Sequence, residues 1–185
     1  MLNAGLSPSL TYHNIKHTLD VKRQCSIIAK EEGITNENEL LELHVAALYH
    51  DTGFLLTYKG HEEKSCEIAR EQLYSFGWCN RSINNVCEII LSTKVPQLPK
   101  THLQQIICDA DLDYLGREDY FNLNDKLRKE FIEYHVIANE QDWDASKISF
   151  LQSHSYFTKS SQTRRNSQKQ KNLENLLNNQ NSIKH

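Results

Sequence analysis

The chain has 185 residues, with 21 Lys and Arg against 24 Asp and Glu and a formal net charge of −3. That length suits one ordinary domain with a little left over, and it can bury a core of its own. The near balance of charge excludes a broad basic field for a nucleic acid polymer or an anionic membrane. No apolar run approaches the roughly 18 to 20 residues that span a bilayer, and the opening MLNAGLSPSL lacks the cationic and apolar regions of a signal peptide. The expected location is therefore the cytoplasm. Five cysteines, odd in number, without a C-x-x-C pair and mostly inside apolar helical patterns, read as reduced core thiols.

Only three prolines and six glycines occur, and apolar residues recur at spacings of three and four, which predicts an all-α chain. The first helix is expected from near Ser9 or Thr11 to about Glu32, with Gly33 as its stop. Thr35 or Asn36 can cap the second, ELLELHVAALYHD, which ends at Asp51-Thr52-Gly53. FLLTYKG is too short for a helix, and a short strand near Phe54 to Tyr58 is the one place for β structure. A third helix, HEEKSCEIAREQLYSF, closes at Gly77. A fourth, capped by Asn80 or Ser82, carries Ile83, Val86, Ile89 and Ile90 and must stop before Pro96. VPQLPK reads as a loop, followed by a fifth helix over about Leu103 to Leu115 and a sixth from Tyr120 to about Ile137. After Ser146, KISFLQSHSYF is a further apolar helix. The domain is taken as residues 1–158, and residues 159–185 as a polar tail, either a peripheral helix on Leu173, Leu176 and Leu177 or partly disordered.

Three constellations carry chemistry. His13 and His17 are four apart, so their imidazoles stand one turn apart on one helix face and can supply a ligand and a proton donor. His50-Asp51 ends a helix that is apolar over residues 43–48 apart from His44, where an imidazole and a carboxylate are costly unless a cation joins them. Gly53 then lets the backbone turn sharply above the carboxylate. Asp109, Asp111 and Asp113 follow the apolar Ile106-Ile107, and three free anions there cannot all be buried. Each fragment also has an ordinary reading: a packed or surface His pair, a His on the helix dipole beside a solvated Asp, a solvated helix end. Together, two imidazoles and two carboxylates from three helices form a mixed nitrogen and oxygen set suited to a divalent ion, Mn, Mg, Fe, Ni, Co or Zn. An octahedral ion so held keeps positions for water and a substrate oxygen.

The ordered pattern H…HD…D on consecutive helices resembles the HD-domain superfamily of metal-dependent phosphohydrolases, over roughly Ser9 to Tyr134. YHNIKHTLDV is especially similar to the segment of class I cyclic nucleotide phosphodiesterases in which the first His donates a proton and the second binds metal. The resemblance implies a single helical bundle with the metal between its helices, His13 as general acid, and His17, His50, Asp51 and Asp111 as ligands. Asp109 is placed beside them, although a shift of two residues exchanges it with Asp111. His61 resembles the further His that can bind a second metal or a phosphate in bacterial members; it also reads as a helix N-terminal residue. The following helix ends Leu91-Ser92-Thr93-Lys94 where a dinuclear site would need another His, so one firmly held ion is expected, and Lys94 is a candidate for a phosphate oxygen or simply a solvated cation. His44 is expected to be packed or to support a ligand, and His102, His135, His154 and His185 fit no motif.

The chain lacks the large helical domain and purine-clamping Gln segment of full phosphodiesterases. The expected activity is thus hydrolysis of a phosphoester or phosphoanhydride, in a nucleotide in the first instance, with a small phosphorylated molecule as partner and homodimer formation left open. Two rivals are a non-catalytic metal- and nucleotide-binding sensor, against which the proton donor His13 argues, and a diiron oxygenase, which needs a fuller dinuclear set.

Overall fold

The computed structural model describes residues 5–138 and 140–183, and among these it is built of helices with no strand. Helix α1 (Ile15–Glu31) opens at Asn14, whose side chain accepts from the Lys16 amide. This is later than the expected start, because the amides of Tyr12 and His13 are taken by the Glu130 carboxylate and not by a helical turn. Helix α2 (Glu37–Tyr49) is capped by Asn36, which accepts from the amides of Asn38 and Glu39.

The short strand expected near Phe54 is instead a 3₁₀ turn, Thr52–Leu55. It is forced by crowding: a Cβ on Gly53 would lie 1.9 Å from the His61 carbonyl oxygen, so the chain can fold back on α3 (His61–Ser75) only through glycine. Helices α4 (Asn80–Leu91) and α5 (His102–Asp111) follow, and a second 3₁₀ turn, Asp113–Gly116, takes the place of the last expected turn of α5. Helix α6 (Tyr120–Glu133) ends short of Ile137 because His135 adopts a left-handed backbone, φ 54°. Helices α7 (Glu140–Ser153) and α8 (Lys159–Ile183) complete the described chain.

Two apolar clusters organise these elements. The first joins α1 to α5 through residues such as Ile28, Leu43, Ala69, Ile90 and Ile107. Each large aliphatic side chain there contributes about 1.5–3 kcal/mol by leaving water. The second is aromatic, with Tyr12, Tyr114, Tyr120 and Trp143 linking the N-terminal turn to α6 and α7. The polar segment from Lys159 is one helix, held to the domain by Leu173 and Leu176 against the aromatic cluster and by polar contacts. Asn172 donates to the carbonyls of Leu115 and Arg117, and Arg165 makes a two-pronged bond to the buried Asp113 at 2.7 and 2.8 Å. A Cβ on Gly116 would stand 2.6 Å from the Arg165 carbonyl oxygen, so α8 crosses in near backbone contact. All five cysteines are free thiols; four are buried and Cys79 is exposed. No helix among the described residues is long and apolar enough to cross a membrane.

Candidate metal centre

The centre is built where the ends of α2 and α5 meet the first turns of α1. The His50 Nδ1–H donates to the Ala47 carbonyl at 2.9 Å, which leaves the Nε2 lone pair free to point inward. Ser65, fully buried on α3, donates to the His50 carbonyl at 2.6 Å and accepts from the Gly53 amide at 2.8 Å, stapling the turn that carries Asp51.

His17 Nε2 lies 3.1 Å from Asp111 Oδ1 and 3.4 Å from Asp51 Oδ2. His50 Nε2 lies 3.2 Å from the same Asp51 oxygen and 3.5 Å from the same Asp111 oxygen. Donor atoms about 2.1 Å from a common ion, at angles between octahedral and tetrahedral, stand about 3.0–3.4 Å apart. The four imidazole–carboxylate distances, 3.1 to 3.5 Å, are close to that spacing. His17, His50 and Asp51, all buried, form a group able to hold a metal ion.

The strongest observation is a pair of orphans: His50 Nε2 and Asp51 Oδ2 are buried without a hydrogen-bond partner. Unpaired buried polar atoms are costly and rare, and a divalent ion between them would satisfy both. Burial alone would raise the Asp51 and Asp111 carboxyls, but the surrounding imidazoles hold both well below the usual carboxylate range. Both are anionic at neutral pH, as ligands must be.

His13 stands beside this group, its ring 5.6 Å from that of His17 and stacked on Phe54 at 4.6 Å. Its Nδ1 forms a short hydrogen bond to Glu130 Oε1. Glu130 is fully buried and saturated: its other oxygen accepts from the amides of Tyr12 and His13 at 2.9 and 3.0 Å, and Tyr58 donates to the first at 3.1 Å. Burial disfavours the His13 imidazolium, yet the Glu130 bond and the nearby carboxylates outweigh it and hold the pKa above the ordinary value. Glu130, Phe54 and Tyr58 were not singled out in the sequence.

His61 also reaches the group, with Nε2 3.6 Å from Asp51 Oδ1, and it stacks on the other side of Phe54 at 3.9 Å. Two expected residues sit elsewhere. Asp109, expected beside the ligands as a catalytic residue, is fully buried against the start of α8, accepting from the amides of Phe157 and Thr158, each at 2.8 Å, and from the Thr158 hydroxyl at 2.6 Å. Residues two apart on a helix point roughly 200° apart, so with Asp111 turned inward, Asp109 is a helix anchor. Lys94, expected to meet substrate, is paired with Glu63. His44 bonds Ser26, His102 pairs with Glu32 and His154 meets Lys169; His185 lies outside the described residues.

The chain is 34% identical over 82 residues to an uncharacterized protein of Clostridium beijerinckii, a stretch covering 43% of this chain and 51% of that protein. The chain thus spans about half the length of the curated relative it matches. No solved structure matches it significantly. Residues 14–113, more than half of the chain and inclusive of His17, His50, Asp51 and Asp111, match the model of the HD domain, and the chain belongs to that family.

Proposed function

We propose that the protein is a metal-dependent phosphohydrolase that cleaves a phosphoester or phosphoanhydride bond of a nucleotide. The observation that carries the reading is the unsatisfied pair His50 Nε2 and Asp51 Oδ2 facing His17 and Asp111, with an imidazole bound to Glu130 next to them. His17, His50, Asp51 and Asp111 would hold the divalent ion, with His61 beside Asp51. Such an ion supplies an activated water and neutralises charge on phosphoryl oxygens.

The protein's own part is proton transfer and positioning. With Nδ1 committed to Glu130, the protonated His13 presents Nε2–H as the one donor free to reach a leaving oxygen. Glu130 holds the tautomer, and the Phe54 face fixes the ring plane. As the leaving oxygen takes the proton, neutral His13 retains Nδ1–H toward Glu130, so the dyad resets by a single protonation from solvent. A binding-only sensor gains nothing from an imidazole so prepared.

The test is a panel of bis(p-nitrophenyl) phosphate, cyclic nucleotides, nucleoside mono- and triphosphates and a nucleoside 3′,5′-bisphosphate, with Mn, Mg, Ni or Zn. Hydrolysis that requires metal and disappears in His50→Ala and Asp51→Ala is expected. Activity that survives either substitution, or a wild-type protein that binds Mn and hydrolyses nothing, would overturn the proposal.

A further inference from the structure

A cleft of about 290 Å³ opens against the candidate metal centre, which it meets at His17 and Asp111. Its size is at the lower bound of small-molecule sites. Buried Tyr12 and Tyr114 give it an aromatic wall, their rings 5.3 Å apart.

Its charges are unequal in what they have left to bind. Asp20 is saturated by Arg23 at 2.7 Å and by Arg117. Arg117 also directs two donors at Asp119, at 2.8 and 2.7 Å. Lys16 and Lys126 also line the cleft, and neither has an ion pair or side-chain hydrogen bond among the described residues. They come from different elements, α1 and α6, yet their backbones are fixed toward one another. Thr11 donates to the Lys126 carbonyl at 2.6 Å, and Asn14, the cap of α1, accepts from the Lys16 amide at 3.0 Å. Two free ammonium groups are thus held at one cleft in a chain whose net charge is −3.

We propose that this cleft is a phosphate subsite, in which Lys16 and Lys126 bind a second, uncleaved phosphate of the substrate while the body of the substrate lies along Tyr12 and Tyr114. The substrate class is then a nucleotide with two separated phosphates and not a simple monophosphate. Ammonium–phosphate hydrogen bonds are charge-assisted and stronger than neutral ones, so the second phosphate adds affinity without touching the reacting centre. The inference rests on the phosphohydrolase reading for the position of the first phosphate.

Equilibrium binding of adenosine 3′,5′-bisphosphate and adenosine 5′-monophosphate to the Mn-supplemented protein tests it. The bisphosphate is expected to bind at least about tenfold more tightly, the worth of one charge-assisted bond. That advantage should vanish in the Lys16→Ala/Lys126→Ala double variant, whose monophosphate affinity stays within about twofold, and it should shrink as salt rises. Equal affinities in the wild type, no binding of either nucleotide, or a preference that survives the double substitution would overturn the subsite. The two readings fail separately: a preference without hydrolysis in the panel removes the activity and keeps the subsite, and hydrolysis without a preference removes the subsite alone.

Discussion

Replacing Glu130 with glutamine tests the dyad in a way a merely structural role would not satisfy. The substitution keeps the volume and one carbonyl oxygen, so the amides of Tyr12 and His13 retain an acceptor. What changes is the partner of His13 Nδ1, which becomes an amide N–H. An imidazolium cannot accept from it, so the protonated form loses a charge-assisted bond worth about 1.5–3 kcal/mol. At about 1.36 kcal/mol per unit, that lowers the His13 pKa by about 1 to 2 units. His13 acts in its protonated form, and its folded pKa is raised in the wild type, so activity is retained below that pKa and lost as pH rises through it. Glu130→Gln should therefore move the basic limb of the kcat profile down by about 1 to 2 pH units, costing about 10- to 100-fold above the wild-type limb and little below the variant's. The assay is the pH dependence of kcat on the best panel substrate, with the Mn-induced thermal shift as a check that the metal centre is intact. A uniform loss at every pH, with the basic limb unmoved, would refute the proton-donor role.

Four further substitutions have defined outcomes. Asp111→Asn should abolish the rise in melting temperature on adding Mn, about 5–10 °C at a hundredfold excess over Kd. Asp109→Asn should lower the melting temperature of the metal-free protein, by loosening the start of α8, and leave that rise in place; the reverse pattern in differential scanning fluorimetry would exchange their roles. Gly53→Ala drives a methyl into the His61 carbonyl, and urea titration should show a loss of at least about 3 kcal/mol, the upper range for overpacking; a smaller loss would mean α3 moves freely. Lys147 is buried with Nζ 4.4 Å from the Trp143 ring, and burial pushes its pKa down to about 7. The unfolded chain then binds more protons between pH 7 and 10, so stability rises with pH across that window and neutral pH carries the cost. After about 1–2 kcal/mol is returned by the aromatic contact, Lys147→Met should stabilise the fold by about 2–3 kcal/mol at pH 7, with a gain that fades toward pH 10. A gain independent of pH would assign the effect to packing.

The residues brought together at the metal centre were legible because each expresses itself locally. His13 and His17 drew attention by a spacing of four and do stand together, although His13 precedes α1 and is placed by Glu130 and not by a shared helix face, and His50-Asp51 ends an apolar helix at a glycine whose necessity the structure turns into a steric contact. The general all-helical reading followed from the same periodicity. Its errors lie where contacts between distant segments overrule local pattern. The start of α1 is delayed because Glu130, more than a hundred residues away in the chain, claims two amides. Apolar FLLTY resembled a strand because composition cannot register that its neighbouring glycine abuts α3. For the tail, hydropathy left a peripheral helix and partial disorder both open, because it counts leucines and not the polar contacts by which α8 also docks, through Asn172, Arg165 and the gap at Gly116.

Glu130 is the instructive omission, because a signal for it existed. The buried positions of α6 are Tyr120, Asn124, Leu127 and Glu130, spaced four, three and three, so Glu130 occupies the next place on the inward stripe. A carboxylate on a buried stripe is subject to the same cost that identified Asp51: it must find donors or a cation. Here it finds four donors, and all of them belong to Tyr12, His13 and Tyr58 at the centre. The same rule, applied to Asp109, would have allowed a second outcome, since a buried carboxylate is also satisfied by capping a helix, as Asp109 does for α8. Burial therefore locates carboxylates that need partners. Only the identity of the donors separates those that serve chemistry, with imidazoles around them, from those that serve the fold, with backbone amides around them, and Glu130 does both by holding an imidazole and two amides on opposite oxygens.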